Sequence, residues 1–179
     1  MTNENNTIQT VEVKRNLAGK ITINVTEKEI LFYYKYKQKY ITEDFEEIDD
    51  GENIIGYPTL INFTPDSSLK ELTKGLKKID VNIIKMINEI EYTPYKKNDG
   101  TTIEESSLYI NSRFTLHMND ENTVIIDTIN FKRLQSYPTA YVSLNMDQVK
   151  GTLHLDTINE KKATKEETIL FKSYESQNG

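Results

Sequence analysis

The sequence predicts a β-rich α+β fold, and three observations carry that expectation. The 179 residues include 21 Ile, 20 Thr, 11 Tyr, 7 Val and 6 Phe against only 3 Ala. β-branched and aromatic side chains suit a pleated, half-buried surface, whereas Ala suits helices. Strict alternation of apolar and polar residues recurs in several windows, the period of a strand with one buried face. Helical periodicity is confined to a central stretch, about residues 66–91. Strands on both sides of central helices, joined by hairpin-length turns, argue an antiparallel sheet. A partly open Greek-key, OB-like barrel and a two-sheet sandwich both satisfy this pattern.

Along the chain, Lys20–Glu27 sets Ile21, Ile23 and Val25 on one face and Thr22, Asn24 and Thr26 on the other. Thr7–Arg15 precedes it, and Asn16–Gly19 supplies turn residues, so the pair reads as a hairpin. Glu29–Ile41 reads as one long third strand, and Asn53–Phe63 as a fourth that Gly56 and Pro58 demote to an edge or a bulged strand. Leu69, Leu72, Leu76 and Ile79 then recur at helical spacing, and Ser68 with Glu71 fits a capping box. Gly75 weakens that helix by about 1 kcal/mol relative to Ala. Val81–Ile90 reads as a second helix, although its β-branched content also suits a strand. Tyr92–Thr102 is a loop. Strands resume at Leu108–Met118 and Thr123–Arg133, around the turn Asn119–Asn122. Ala140–Leu155 reads as a further hairpin, Asn159–Glu167 as a polar loop and Thr168–Tyr174 as a last strand. All of this fits a single domain, 1–179, with residues 1–6 and 175–179 as disordered tails.

Composition also removes function classes. Cys is absent, which excludes disulfides, a thiol nucleophile and thiolate metal sites. No apolar run approaches the roughly 18 residues of a membrane span, and the polar N-terminus lacks a signal-peptide pattern. The expectation is a cytoplasmic protein with no membrane partner. The ratio of 19 Lys to 3 Arg, with 17 Asn, matches AT-rich codon usage and points to a bacterial cell or a phage-infected host. A net charge of −6 argues against duplex nucleic acid and anionic membranes as partners. There is no Gly-x-Ser-x-Gly elbow, and the 7 scattered Gly form no phosphate-binding loop. His117 and His154 stand near Asp120 and Asp156 but read as solvated surface residues. Glu104 and Glu105 point to opposite faces if extended, and Asp49–Glu52 lacks the ligand alternation of a calcium loop. No catalytic residue, metal or cofactor is expected, and the chain reads as a non-enzyme.

One segment suggests a function. Residues 30–45 hold Phe32, Tyr33, Tyr34, Tyr36, Tyr40 and Phe45, interleaved with Lys35, Lys37 and Lys39. Rings that stack bases beside cations that follow phosphates describe single-stranded nucleic-acid binding. The leading expectation is a non-catalytic single-stranded DNA- or RNA-binding protein, an accessory factor of phage replication. Its site would be Tyr33, Tyr34, Lys35, Tyr36, Lys37, Lys39 and Tyr40. The bland alternative for this segment is an amphipathic strand with aromatics inward and lysines solvated. A second functional reading is a protein-interaction module, either a phage structural component or an acidic inhibitor of a host nucleic-acid enzyme. It rests on Glu43–Glu52, which holds seven carboxylates and no basic residue.

Overall fold

Residues 8–49, 55–95, 112–156 and 170–175 are described by the computed structural model. Their strands form two separate sheets. In the first, β1 (Ile8–Arg15) and β2 (Ile21–Glu27) make an antiparallel ribbon. Its turn is closed by Asn16, whose Oδ1 accepts from the Lys20 N–H at 2.9 Å, and by Gly19 at φ 81°. The hairpin therefore forms as the alternation and turn residues predict.

The second sheet has nine strands: β3 (Ile30–Tyr34), β4 (Lys39–Thr42), β5 (Glu47–Asp49), β6 (Thr59–Leu60), β7 (Ile87–Tyr92), β8 (Arg113–Met118), β9 (Thr123–Asp127), β10 (Gly151–His154) and β11 (Leu170–Ser173). Their spatial order is β11-β10-β9-β8-β7-β6-β3-β4-β5. β6 lies parallel to both β3 and β7, and β10 lies parallel to β9. The sheet is thus mixed and open, with β5 and β11 at opposite edges, rather than an antiparallel barrel or a sandwich. Parallel neighbours need a crossover connection. α1 (Asp66–Leu76) and α2 (Val81–Ile84) supply one between β6 and β7. A 3₁₀ segment (Thr128–Ser136) and α3 (Tyr137–Ser143) supply another between β9 and β10.

Both crossovers contribute to a single core. Leu69, Leu72 and Leu76 of α1 are fully buried with Phe114 and Leu116 of β8, Ile126 of β9, and Phe131, Leu134 and Tyr137 of the second crossover. β8 alternates accordingly: Phe114, Leu116 and Met118 are buried, while Arg113, Thr115 and His117 are half-buried on the other face.

Several local expectations are corrected. The long third strand breaks at residues 35–38 into a hairpin turn, with Gln38 at φ 55°. The fourth strand shrinks to Thr59–Leu60 and lies inside the sheet between β3 and β7, not at an edge. α1 begins at Asp66 with no side-chain cap bond. Glu71 instead accepts from the Ser112 N–H and the Thr128 hydroxyl, at 3.4 and 3.0 Å. Only the first turn of Val81–Ile90 is helical; Asp80 caps it by accepting from the Asn82 N–H at 2.8 Å. Its later isoleucines, Ile87 and Ile90, fill the core from β7. β9 stops at Asp127, whose Oδ1 accepts from the Asn130 backbone and side chain and turns the chain into the 3₁₀ segment. Residues 137–143 are helical, with Pro138 in the first turn where its missing N–H costs nothing, so the expected 140–155 hairpin supplies only β10. The expected 1–6 tail, the strand start at Leu108 and the 159–167 loop lie outside the described residues.

Candidate interaction surfaces

The aromatic–lysine segment does not form one trough. The turn at 35–38 folds it into β3 and β4, so Tyr40 pairs with Tyr33, not with Tyr34 and Tyr36. Tyr33 and Tyr40 meet at 5.0 Å between ring centres, around a small cluster of Ile30, Tyr40 and Ile48. Tyr34 is sealed in the main core at 1% exposure, and its hydroxyl accepts from the Thr64 N–H at 3.0 Å. Lys35 is exposed. Tyr36 is the one ring of the four that stands open, against Phe63 at 5.3 Å edge to face. Lys37 pairs with Glu47 at 2.8 Å, and Lys39 pairs with Asp49. The hydrogen bond from Lys37 to Glu47 holds that ammonium above the usual lysine range. Lys77 joins the acidic run from α1, with Nζ 3.3 Å from Glu43 and 2.8 Å from Asp44. The lysine segment and the acidic run are thus neighbouring strands whose charges neutralise each other. Neither is a contiguous patch of one sign; residues 50–52 of the acidic run lie outside the described residues.

A tighter polar cluster sits where β8 begins and β9 and β10 end. Arg113 Nε donates to Asp156 Oδ2 at 3.2 Å, and the guanidinium lies 5.2 Å from the Tyr95 ring centre. The Tyr95 hydroxyl donates to Asp127 Oδ2 at 3.1 Å. Asp127 and Asp156 are buried. Burial, reinforced by both carboxylates, pushes the Tyr95 phenol well above its ordinary range. The cluster anchors the chain after β7 to the strand ends beside it. His154 belongs to its rim, with Nδ1 3.8 Å from Asp156 Oδ1 and only 12% side-chain exposure. The expectation of a solvated His154 is therefore corrected, whereas His117 is 41% exposed beside Glu91. Among the described residues, no group of three or more His, Asp or Glu is placed to hold a metal ion.

Two features present surface suited to another macromolecule. One is the β1–β2 ribbon. Val11 faces Val25, Val13 faces Ile23 and Arg15 faces Ile21, so these side chains share one face. The apolar ones are 52–64% exposed. The other is the outer edge of β11. The Tyr174 N–H donates to Lys150 O at 3.0 Å. By antiparallel alternation, residues 172 and 170 also turn their backbone groups toward β10, and Phe171 turns its own outward. The opposite edge, β5, is guarded by its ion pairs, a common defence of a sheet edge. The ribbon's alternation was legible in the sequence; nothing there signalled that its face would be left bare.

No family model matches the chain. It is 24% identical over 180 residues to the cell division protein DivIB of Bacillus subtilis, covering 92% of this chain and 62% of that protein. It is 26% identical over 156 residues to DivIB of Brevibacillus brevis, covering 83% and 54%. DivIB of Bacillus cytotoxicus is 31% identical over 137 residues, covering 73% and 49%. The chain thus spans about half to three-fifths of the length of these relatives. The solved major extracytoplasmic domain of DivIB from Geobacillus stearothermophilus aligns at a TM-score of 0.48 and 20% identity, over 68% of this chain and 98% of that one. These proteins are named for cell division rather than for a reaction. The sequence similarities overturn the expectations of a single-stranded nucleic-acid-binding protein, of a phage replication or phage structural role, of an acidic enzyme inhibitor, and of nucleic acid as partner. The cytoplasmic expectation falls with them, because the relatives are named cell division protein DivIB. Among the described residues no helix is long and apolar enough to cross a membrane. Over most of its length, the chain is similar to cell division protein DivIB.

Proposed function

We infer that this chain acts in bacterial cell division, outside the cytoplasmic membrane, as a non-catalytic domain that docks another protein. The observation that carries the reading is the shared name of its curated relatives, each a cell division protein DivIB. Supporting the docking role is the contrast between the sheet's two edges. β5 is laced with ion pairs, whereas β11 turns Phe171 backbone groups to its outer side. An exposed edge accepts an extended segment as an added strand, with main-chain hydrogen bonds giving affinity. Tyr36 with Phe63 offers a second, smaller aromatic contact.

The test is to export the chain in Bacillus subtilis depleted of its own DivIB, with a photo-crosslinking residue in place of either Lys172 or Glu47. Recruitment to the division septum is expected, with crosslinking to a septal protein from position 172 and none from 47. Diffuse distribution along the cell would refute the division role. Septal recruitment with equal crosslinking from both edges would refute the β11 assignment alone.

A further inference from the structure

We propose that the bare face of the β1–β2 ribbon is an interface between two copies of this chain, packed face to face with their ribbons antiparallel. Four rows of cross-strand partners make up that face. The two middle rows are Val13 with Ile23 and Val11 with Val25, all β-branched and more than half exposed. The opposite face carries Thr10, Glu12, Lys14, Thr22, Asn24 and Thr26, with Lys14 Nζ and Glu12 paired at 3.0 Å. That face is satisfied in water; the apolar one is not. A lone two-stranded ribbon is at best marginally stable, so a covering layer would reinforce the element as well as bury its valines and isoleucines.

The end rows identify the occupant. At the turn end stands Arg15, opposite Ile21; at the base stands Glu27, opposite Ile8. Glu27 follows Ile21, Ile23 and Val25 at steps of two along a regular strand, so its side chain shares their face. The face therefore carries a cation at one end, an anion at the other and apolar side chains between. A two-fold axis through its middle lays the Arg15–Ile21 row of one copy over the Ile8–Glu27 row of the other. Each guanidinium then lies within about one interstrand spacing, roughly 5 Å, of the facing carboxylate, a span an arginine side chain covers. Both ends are satisfied at once, which is the self-complementarity a two-fold interface requires. A partner of uniform charge would leave one end opposed by like charge.

Analytical ultracentrifugation of the full chain decides the matter. The expected result is a concentration-dependent rise from the 20.8 kDa monomer toward twice that mass. Arg15→Glu alone sets two carboxylates against each other at both ends of the interface, and Glu27→Arg alone does the same with guanidinium groups. Each should weaken the dimer at least tenfold. The double variant R15E/E27R restores opposite signs and should regain dimerisation to within a few-fold of wild type, which an effect on folding would not do. A monomer at every concentration up to millimolar overturns the proposal, as does single-variant dimerisation equal to wild type or failure of the double variant to recover. These readings need no division partner, so they stand or fall apart from the β11 assignment.

Discussion

β1–β2 and β8–β9 are built from the same alternating pattern and end in opposite circumstances. In β8 and β9, Leu116, Val124 and Ile126 are fully buried. In β1 and β2, Val13, Ile23 and Val25 stay 52–64% exposed. Alternation decides which side chains share a face; a second layer decides whether that face is dry. The crossovers 66–84 and 128–143 bring that layer to the main sheet, because a parallel neighbour is reached only by passing over a face. β1 and β2 are joined by a tight turn, which carries nothing back across the ribbon.

The contrast can be broken or sharpened by substitution. Its sharpest form pairs Leu116→Ala with Val25→Ala. The first opens a cavity under α1 and should cost about 2–5 kcal/mol. The second, in dilute protein, should stay within about 0.5 kcal/mol. Urea denaturation of both checks this, and similar losses would show that the ribbon is covered. Gly75→Ala comes next. Helix propensity alone would make it stabilising by about 1 kcal/mol, yet an added Cβ would stand 2.6 Å from the Phe131 ring. Overpacking should turn the sign to a loss of about 1–3 kcal/mol in the same assay.

The smallest effect is Tyr137→Phe. The Tyr137 hydroxyl donates to both carboxylate oxygens of Asp120, at 3.1 and 2.9 Å. Asp120 keeps its bonds from Asn122, so losing the hydroxyl should cost about 1 kcal/mol. Burial first, then the hydrogen bond and charge of Asp120, raise the Tyr137 phenol far above its ordinary value of 10.0. The raised value favours the protonated form in the folded state. Its contribution is therefore complete below pH 10 and is lost as the pH climbs toward the folded-state value. Melting curves from pH 8 to 11 should show the variant losing less stability than wild type in the alkaline range.

What the sequence disclosed follows the same division. The ribbon was legible because Asn16–Gly19 is a strong local turn signal between two alternating runs. α1 was legible from the spacing of Leu69, Leu72 and Leu76. The 35–38 turn was not, because Lys35-Tyr-Lys-Gln38 contains no Gly, Pro or Asn; pairing of β3 with β4 and β6 imposes it. α3 was hidden as well, since Val142 and two tyrosines favour a strand locally, while burial of Tyr137 and Ala140 against the core selects the helix. The candidate site fared likewise. Sequence marked the lysines and the carboxylates as separate functional surfaces, and only strand register set Lys37 against Glu47 and Lys39 against Asp49.

The seating of Phe131 on Gly75 has a mechanical meaning. It clasps a helix from the first half of the chain to the connection from the second, so each half keeps the other's lid shut. Lifting either lid from the sheet means parting that ring from the helix.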